Sequence, residues 1–102
     1  MIQRAPFSFR LYMAGDAPNS IEALANLRNI CERYLPKRHR IELVNVFRHG
    51  KRALADGIFL TPTLVTLSPL PMRRIVGTLS DTRTVLQALG LTELTRLTAQ
   101  VL

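Results

Sequence analysis

Phe7-Ser8-Phe9-Arg10-Leu11-Tyr12-Met13 alternates large apolar side chains with others, the period-2 pattern of a strand, and it breaks at Ala14-Gly15-Asp16-Ala17-Pro18-Asn19-Ser20. Asn19, followed three residues later by Glu22, resembles a capping box, with Ser20 as the alternative cap, so a helix is predicted to begin at once. Ile21, Leu24, Leu27, Cys31 and Leu35 recur at helical spacing and predict its buried stripe; Pro36 stops it. A strand that runs straight into a helix needs a sheet to lie on and a parallel strand for the helix to lead to. The junction itself contains no cysteine, so it holds no thiolate for redox chemistry.

Ile41 to Phe47 reads as the second strand, with Ile41, Leu43, Asn45 and Phe47 on one face. A short helix is predicted over Lys51 to Asp56, closed by Gly57. Thr63 to Leu67 and Arg73 to Val76 are the third and fourth strands, separated by the turn Ser68-Pro69-Leu70-Pro71. Ser80 or Asp81 caps a last helix bearing Val85, Leu86 and Leu89, which Gly90 ends, and Thr92 to Leu102 is predicted to add a further helix. The order is β-α-β-α-β-β-α: an α/β fold with a four-stranded mixed sheet, its first pair parallel and its last a hairpin, and helices on both faces. A chain of 102 residues suits one domain, residues 1–102, and not two independent cores.

No apolar run reaches the roughly 18–20 residues needed to span a bilayer, and no apolar core or small-residue cleavage site follows the N-terminus. A soluble, cytoplasmic protein is expected. The formal charge of +7 leaves an anionic partner open. Its positions matter more than its sum, because Lys37-Arg38-His39-Arg40 and Arg48-His49-Gly50-Lys51-Arg52 flank a strand about 23 Å long at ~3.3 Å per residue. Two separate basic ends are expected, and nucleic acid is not the expected partner.

Residue types for catalysis are not assembled. Asp16, Asp56 and Asp81 fall in separate loops or helix ends, and no Gly-rich phosphate loop or Ser/His/Asp arrangement occurs. His39 and His49 read as solvated loop histidines and Cys31 as a core thiol. No catalytic residue, cofactor or metal ligand is assigned, and the protein is expected not to be an enzyme.

Thr61-Pro62-Thr63 precedes the third strand, where thioredoxin-like proteins place a cis-proline beside the first helix. Together, Leu11 to Ser20, Thr61-Pro62-Thr63-Leu64 and Pro71-Met72-Arg73-Arg74-Ile75-Val76-Gly77-Thr78-Leu79-Ser80 resemble the KaiB family, in register and without gaps from about Phe9 to Leu89. The resemblance implies a non-enzymatic clock regulator that docks on a KaiC-type ATPase, with a histidine kinase as a further partner. It also implies two folds, a thioredoxin-like binding form and an oligomeric resting form with a rearranged C-terminal half. Monomer, dimer and tetramer all remain open.

On this resemblance Arg73 and Arg74 contribute to partner binding through contacts to carboxylates; the plainer reading is that they solvate and protect an edge strand. Pro62, Ala88 and Gly90 are the fold-determining positions. Where cyanobacterial relatives carry a glycine and then an aspartate, this chain has Ala88 and Gly90. Both changes favour the helical form, by about 1–2 kcal/mol together, or roughly 5- to 30-fold in population. A binder without a slow fold-switch timer is expected. The tail lacks acidic character and the basic excess is large, so engagement of KaiA is not implied. The alternative is a thioredoxin-like protein with a redox-inactive site that binds another protein or a nucleic acid.

Overall fold

The computed structural model describes residues 6–91, folded in the order β1 (Phe7–Met13), α1 (Pro18–Tyr34), β2 (His39–Asn45), α2 (Gly50–Ala55), β3 (Thr63–Ser68), β4 (Arg73–Val76) and α3 (Thr82–Ala88). One sheet runs β2-β1-β3-β4. β1 pairs in parallel with β2, from Phe7 opposite His39 to Met13 opposite Asn45, and antiparallel with β3; β3 and β4 are antiparallel. The α/β arrangement and strand pairings match the sequence expectation. The predicted helix over residues 92–102 lies outside the described residues.

β1 is central, so both its faces are covered. Phe7, Phe9, Leu11 and Met13 pack against Ala23, Leu27, Ile30 and Cys31 of α1 and Val85 and Leu86 of α3. Tyr12 faces the other way, with Val44, Ala53, Ile58 and Val65 under α2. Helices therefore lie on both sides of the sheet, α1 and α3 on one and α2 on the other.

The start of α1 departs from expectation. Its N-cap is Ala17, without a side-chain cap, and Pro18 opens the helix, where its missing N–H costs nothing. Ser20 is buried, and its Oγ accepts the Ala14 N–H at 3.0 Å. Facing Ser20 to the junction turns the buried stripe to Ser20, Ala23, Leu27, Ile30 and Cys31 and leaves Ile21 exposed. Asn19 caps nothing.

β2 begins two residues earlier and ends two earlier than the sequence pattern predicts. It is an edge strand, covered only in part. Val44 points into the α2 layer, Ile41 packs partly on the α1 layer, and Leu43 and Phe47 are exposed. His39 is part of this strand and no loop residue: its Nδ1–H donates to the Leu35 carbonyl at 2.7 Å, beyond the end of α1.

The later elements close as expected. Gly57 follows α2 at φ +72°, and the Ile58 N–H reaches the Ala53 carbonyl at 2.9 Å. Asp81 Oδ1 caps α3 through the Thr84 N–H at 3.2 Å, and Gly90 at φ +75° ends it, with the Leu91 N–H on the Leu86 carbonyl at 2.9 Å. The Thr61-Pro62 bond is cis, as are Ser68-Pro69 and Leu70-Pro71. Leu27 is fully buried between α1 and the sheet. Leu27→Ala is expected to lower stability by about 2–5 kcal/mol, read as a lower urea midpoint with an unchanged slope.

Candidate partner-docking face

The strand-to-helix junction is closed on itself. Its Ala14 N–H goes to Ser20 Oγ, its Ala17 N–H to the Ala14 carbonyl at 3.0 Å, and its Gly15 N–H to Asn45 Oδ1 at 3.2 Å, an oxygen that also accepts the Phe47 N–H at 3.0 Å. Three of the junction's backbone donors are thereby engaged within the fold. The sole cysteine, Cys31, is in the core, where burial and then the neighbouring Glu32 push its thiol up to about 12, so it supplies no thiolate at neutral pH. Among the described residues no three His, Cys, Asp or Glu side chains gather as a metal site.

Polar chemistry is gathered on the α2 side instead. Arg10 and Tyr12 are two apart on β1 and share a face, and Arg10 lies directly opposite Glu42 in the parallel register. Arg10 donates to Glu42 at 2.7 Å and to Asp56 Oδ2 at 3.3 Å; Arg52 donates to the second Glu42 oxygen at 2.7 Å. The buried Tyr12 hydroxyl donates to the same Asp56 oxygen. A buried hydroxyl without a partner is costly, so this bond matters more than the half-exposed ion pairs around it. Hydrogen bonds from Arg10 and Arg52 hold Glu42 below its ordinary value of 4.5, whereas burial and then the Asp56 bond raise Tyr12. Sequence reading left Asp56 isolated. The signal available was Arg10 and Tyr12 on one strand face with Glu42 on the paired strand.

The two β4 arginines diverge, as their adjacent positions on a strand require. Arg74 reaches over the α2 side and donates to the backbone carbonyls of Asp56 and of Gly57, the latter at 3.1 Å. A Cβ at Gly57 would stand 3.1 Å from that guanidinium, so the glycine serves both its positive φ and this close approach. Arg73 turns to the α3 side and donates to the Ala88 carbonyl. Pro62 is buried between these regions and its carbonyl accepts the Gly77 N–H at 2.9 Å, joining the loop before β3 to the end of β4.

Large apolar side chains are exposed on the elements next to Arg74. Leu54 follows α2's exposed side, Phe59 (81% exposed) and Leu60 (63%) lie in the loop before β3, and Val76 (56%) ends β4 opposite Thr63. Thr63 Oγ1 donates to the Leu60 carbonyl at 2.6 Å, and Thr63 lies opposite Val76 in the β3/β4 register, so the loop before β3 and the end of β4 lie at one end of the sheet. Exposed large side chains gathered beside a cation are the composition of a protein-binding surface.

Glu42 supplies a pH test of the network behind this face. A carboxylate held below its unfolded value stabilises the fold above that value and loses the contribution as pH falls through the folded one. Stability is expected to drop on acidification below 4.5, and Glu42→Gln to flatten that part of a denaturation profile. A profile identical in both proteins would count against the pairing.

Comparison with known proteins gives a consistent result. The family model described as the KaiB domain matches residues 10–91. The circadian clock oscillator protein KaiB of Synechococcus elongatus is 41% identical over 91 residues, 89% of each chain. Its counterpart from Prochlorococcus marinus subsp. pastoris is 38% identical, over 89% of this chain and 85% of its own length. Among solved structures, the N-terminal domain of Synechococcus elongatus SasA superposes with a TM-score of 0.71 at 20% identity, covering 91% of both chains. Mitochondrial thioredoxin 3 of Saccharomyces cerevisiae gives 0.67 at 15% identity, over 86% of this chain and 81% of its own. The fold is thioredoxin-like, its strand-to-helix junction holds no cysteine, and the chain belongs to the KaiB family.

Proposed function

We propose that this chain is a non-enzymatic regulator in a clock or clock-derived system, and that it docks on a KaiC-type ATPase through the face around Arg74. The observation that carries the reading is the exposed Leu54, Phe59, Leu60 and Val76 beside an arginine bonded to the Asp56 and Gly57 carbonyls. Membership of a family whose curated members are clock oscillator proteins supports the clock role. The likeness to the SasA domain supports a histidine kinase as competitor or second partner. Co-migration of the pure protein with a cognate KaiC and ATP in sizing is the expected result. Leu60→Asp and Arg74→Glu should each weaken it at least about tenfold, since both strike the centre of the surface. Absence of a complex in every nucleotide and phosphorylation state would sink the proposal.

We further infer that the thioredoxin-like form is the resident conformer and that no slow fold-switch precedes docking. Ala88 continues α3 to its last residue and Gly90 supplies the positive φ that ends it, with no carboxylate at that position to oppose the helix dipole. A single set of amide resonances from a monomer is expected. A tetramer in sizing, or two slowly exchanging sets, would overturn the inference.

A further inference from the structure

The two ends of the central strand carry different chemistry. At the Tyr12 end, Thr63 pairs with both Tyr12 and Val76 and brings up the exposed apolar side chains of the docking face. About 17 Å away along β1, at the Phe7 end, stands a second set of groups that the docking reading leaves unused. The Phe7 N–H donates to the Arg38 carbonyl at 2.8 Å, and Ser8 lies opposite Ser68. The turn from α1 to β2 and the turn from β3 to β4 therefore flank the same end of the sheet.

The first of these turns is cationic. Arg33 lies in the last turn of α1, its guanidinium 5.7 Å from the Tyr34 ring centre, and Lys37, Arg38 and Arg40 follow. Arg33, Lys37 and Arg40 are exposed, and among the described residues none of the four forms an ion pair. Glu32 precedes them on the helix, and Glu42 is taken by Arg10 and Arg52. The second turn is apolar. Leu70 is 78% exposed and Met72 56%, interleaved with the exposed Pro69 and Pro71. Two of these four tip residues are prolines, which bring no backbone N–H to strand without a partner when the tip leaves water.

An apolar tip beside unpaired cations fits the boundary of an anionic bilayer, where the tip is buried and the cations stay among the phosphates. A nucleic acid fits less well, because single strands are held by stacking on exposed aromatic rings. At this end Phe7 is buried and Tyr34 is half-buried beside Arg33. We infer that this end of the sheet is a peripheral binding site for anionic lipid, with Leu70 and Met72 entering the headgroup boundary and Arg33, Lys37 and Arg40 meeting phosphates. The docking face then points away from the membrane and stays open to a protein.

Flotation of the full chain with vesicles of phosphatidylglycerol and phosphatidylcholine in equal parts tests this. The chain is expected to rise with them at low salt, to be released as ionic strength increases, and to stay behind with phosphatidylcholine alone. Leu70→Ser should weaken binding at least about fivefold, because the serine forfeits the gain of an apolar side chain leaving water. Arg40→Gln should weaken it roughly fivefold, the effect of one cation at an anionic surface. Arg48→Gln removes the same charge beyond the far end of β2, and Phe59→Ser removes an apolar side chain from the docking face; both should leave vesicle binding nearly unchanged. All four side chains are exposed, so the urea midpoints should match that of the natural chain.

No flotation at low salt overturns the inference. Equal losses in Arg40→Gln and Arg48→Gln do so too, since net charge is then the whole attraction, and undiminished binding by Leu70→Ser does so because the tip has stayed in water. Tighter binding to single-stranded RNA than to vesicles, unaffected by Leu70→Ser, would assign this end to nucleic acid instead. Leu70→Ser and Arg40→Gln should leave co-migration with the ATPase as it was, so the two surfaces are scored separately.

Discussion

Burying the Tyr12 phenol in the central strand obliges the molecule to provide a partner for its hydroxyl, and Asp56 provides it. The consequences spread from that residue. Its carboxylate also receives Arg10 of β1, its backbone carbonyl receives Arg74 of β4, and it sits at the C-terminal end of α2. One aspartate therefore ties the middle of the sheet, one edge and the covering helix together. The surface that this arrangement presents is tied from below to the central strand by the bond from Tyr12 to Asp56.

Much of the fold was legible in the residues because local signals agreed with one another. The period-2 run from Phe7 to Met13, the proline and glycine breaks, and Asp81 with Gly90 around α3 each name an element whose tertiary context supports it. The failures were equally physical. Helical spacing cannot say how a helix is rotated about its axis, and a bond from Ala14 to Ser20 turned α1 so that Ile21 faces out. Alternation on β2 could not show that an edge strand lacks cover over Leu43, or that the strand ends before the exposed Phe47. His39 joined that strand through a carbonyl four residues back.

The candidate face was harder to foresee than the fold. Tyr12 and Asp56 are 44 residues apart, and Arg73 and Ala88 are 15 apart, so no local pattern links either pair. The family resemblance pointed to Arg73, Arg74, Ala88 and Gly90 separately. Geometry shows that two of these, an arginine named for partner contact and an alanine named for the fold, are bonded to each other.

The sheet also divides the molecule into parts that can open independently. α1 covers the central strand with four fully buried side chains, Ala23, Leu27, Cys31 and the following Leu35, whereas α3 is seven residues long and lies over the β4 side. Lifting α3 exposes Val85, Leu86 and Leu89 but leaves the Tyr12 to Asp56 bond and the parallel β1/β2 pair intact. Lifting α3 is therefore a sub-global opening, whose free energy lies below that of the whole domain.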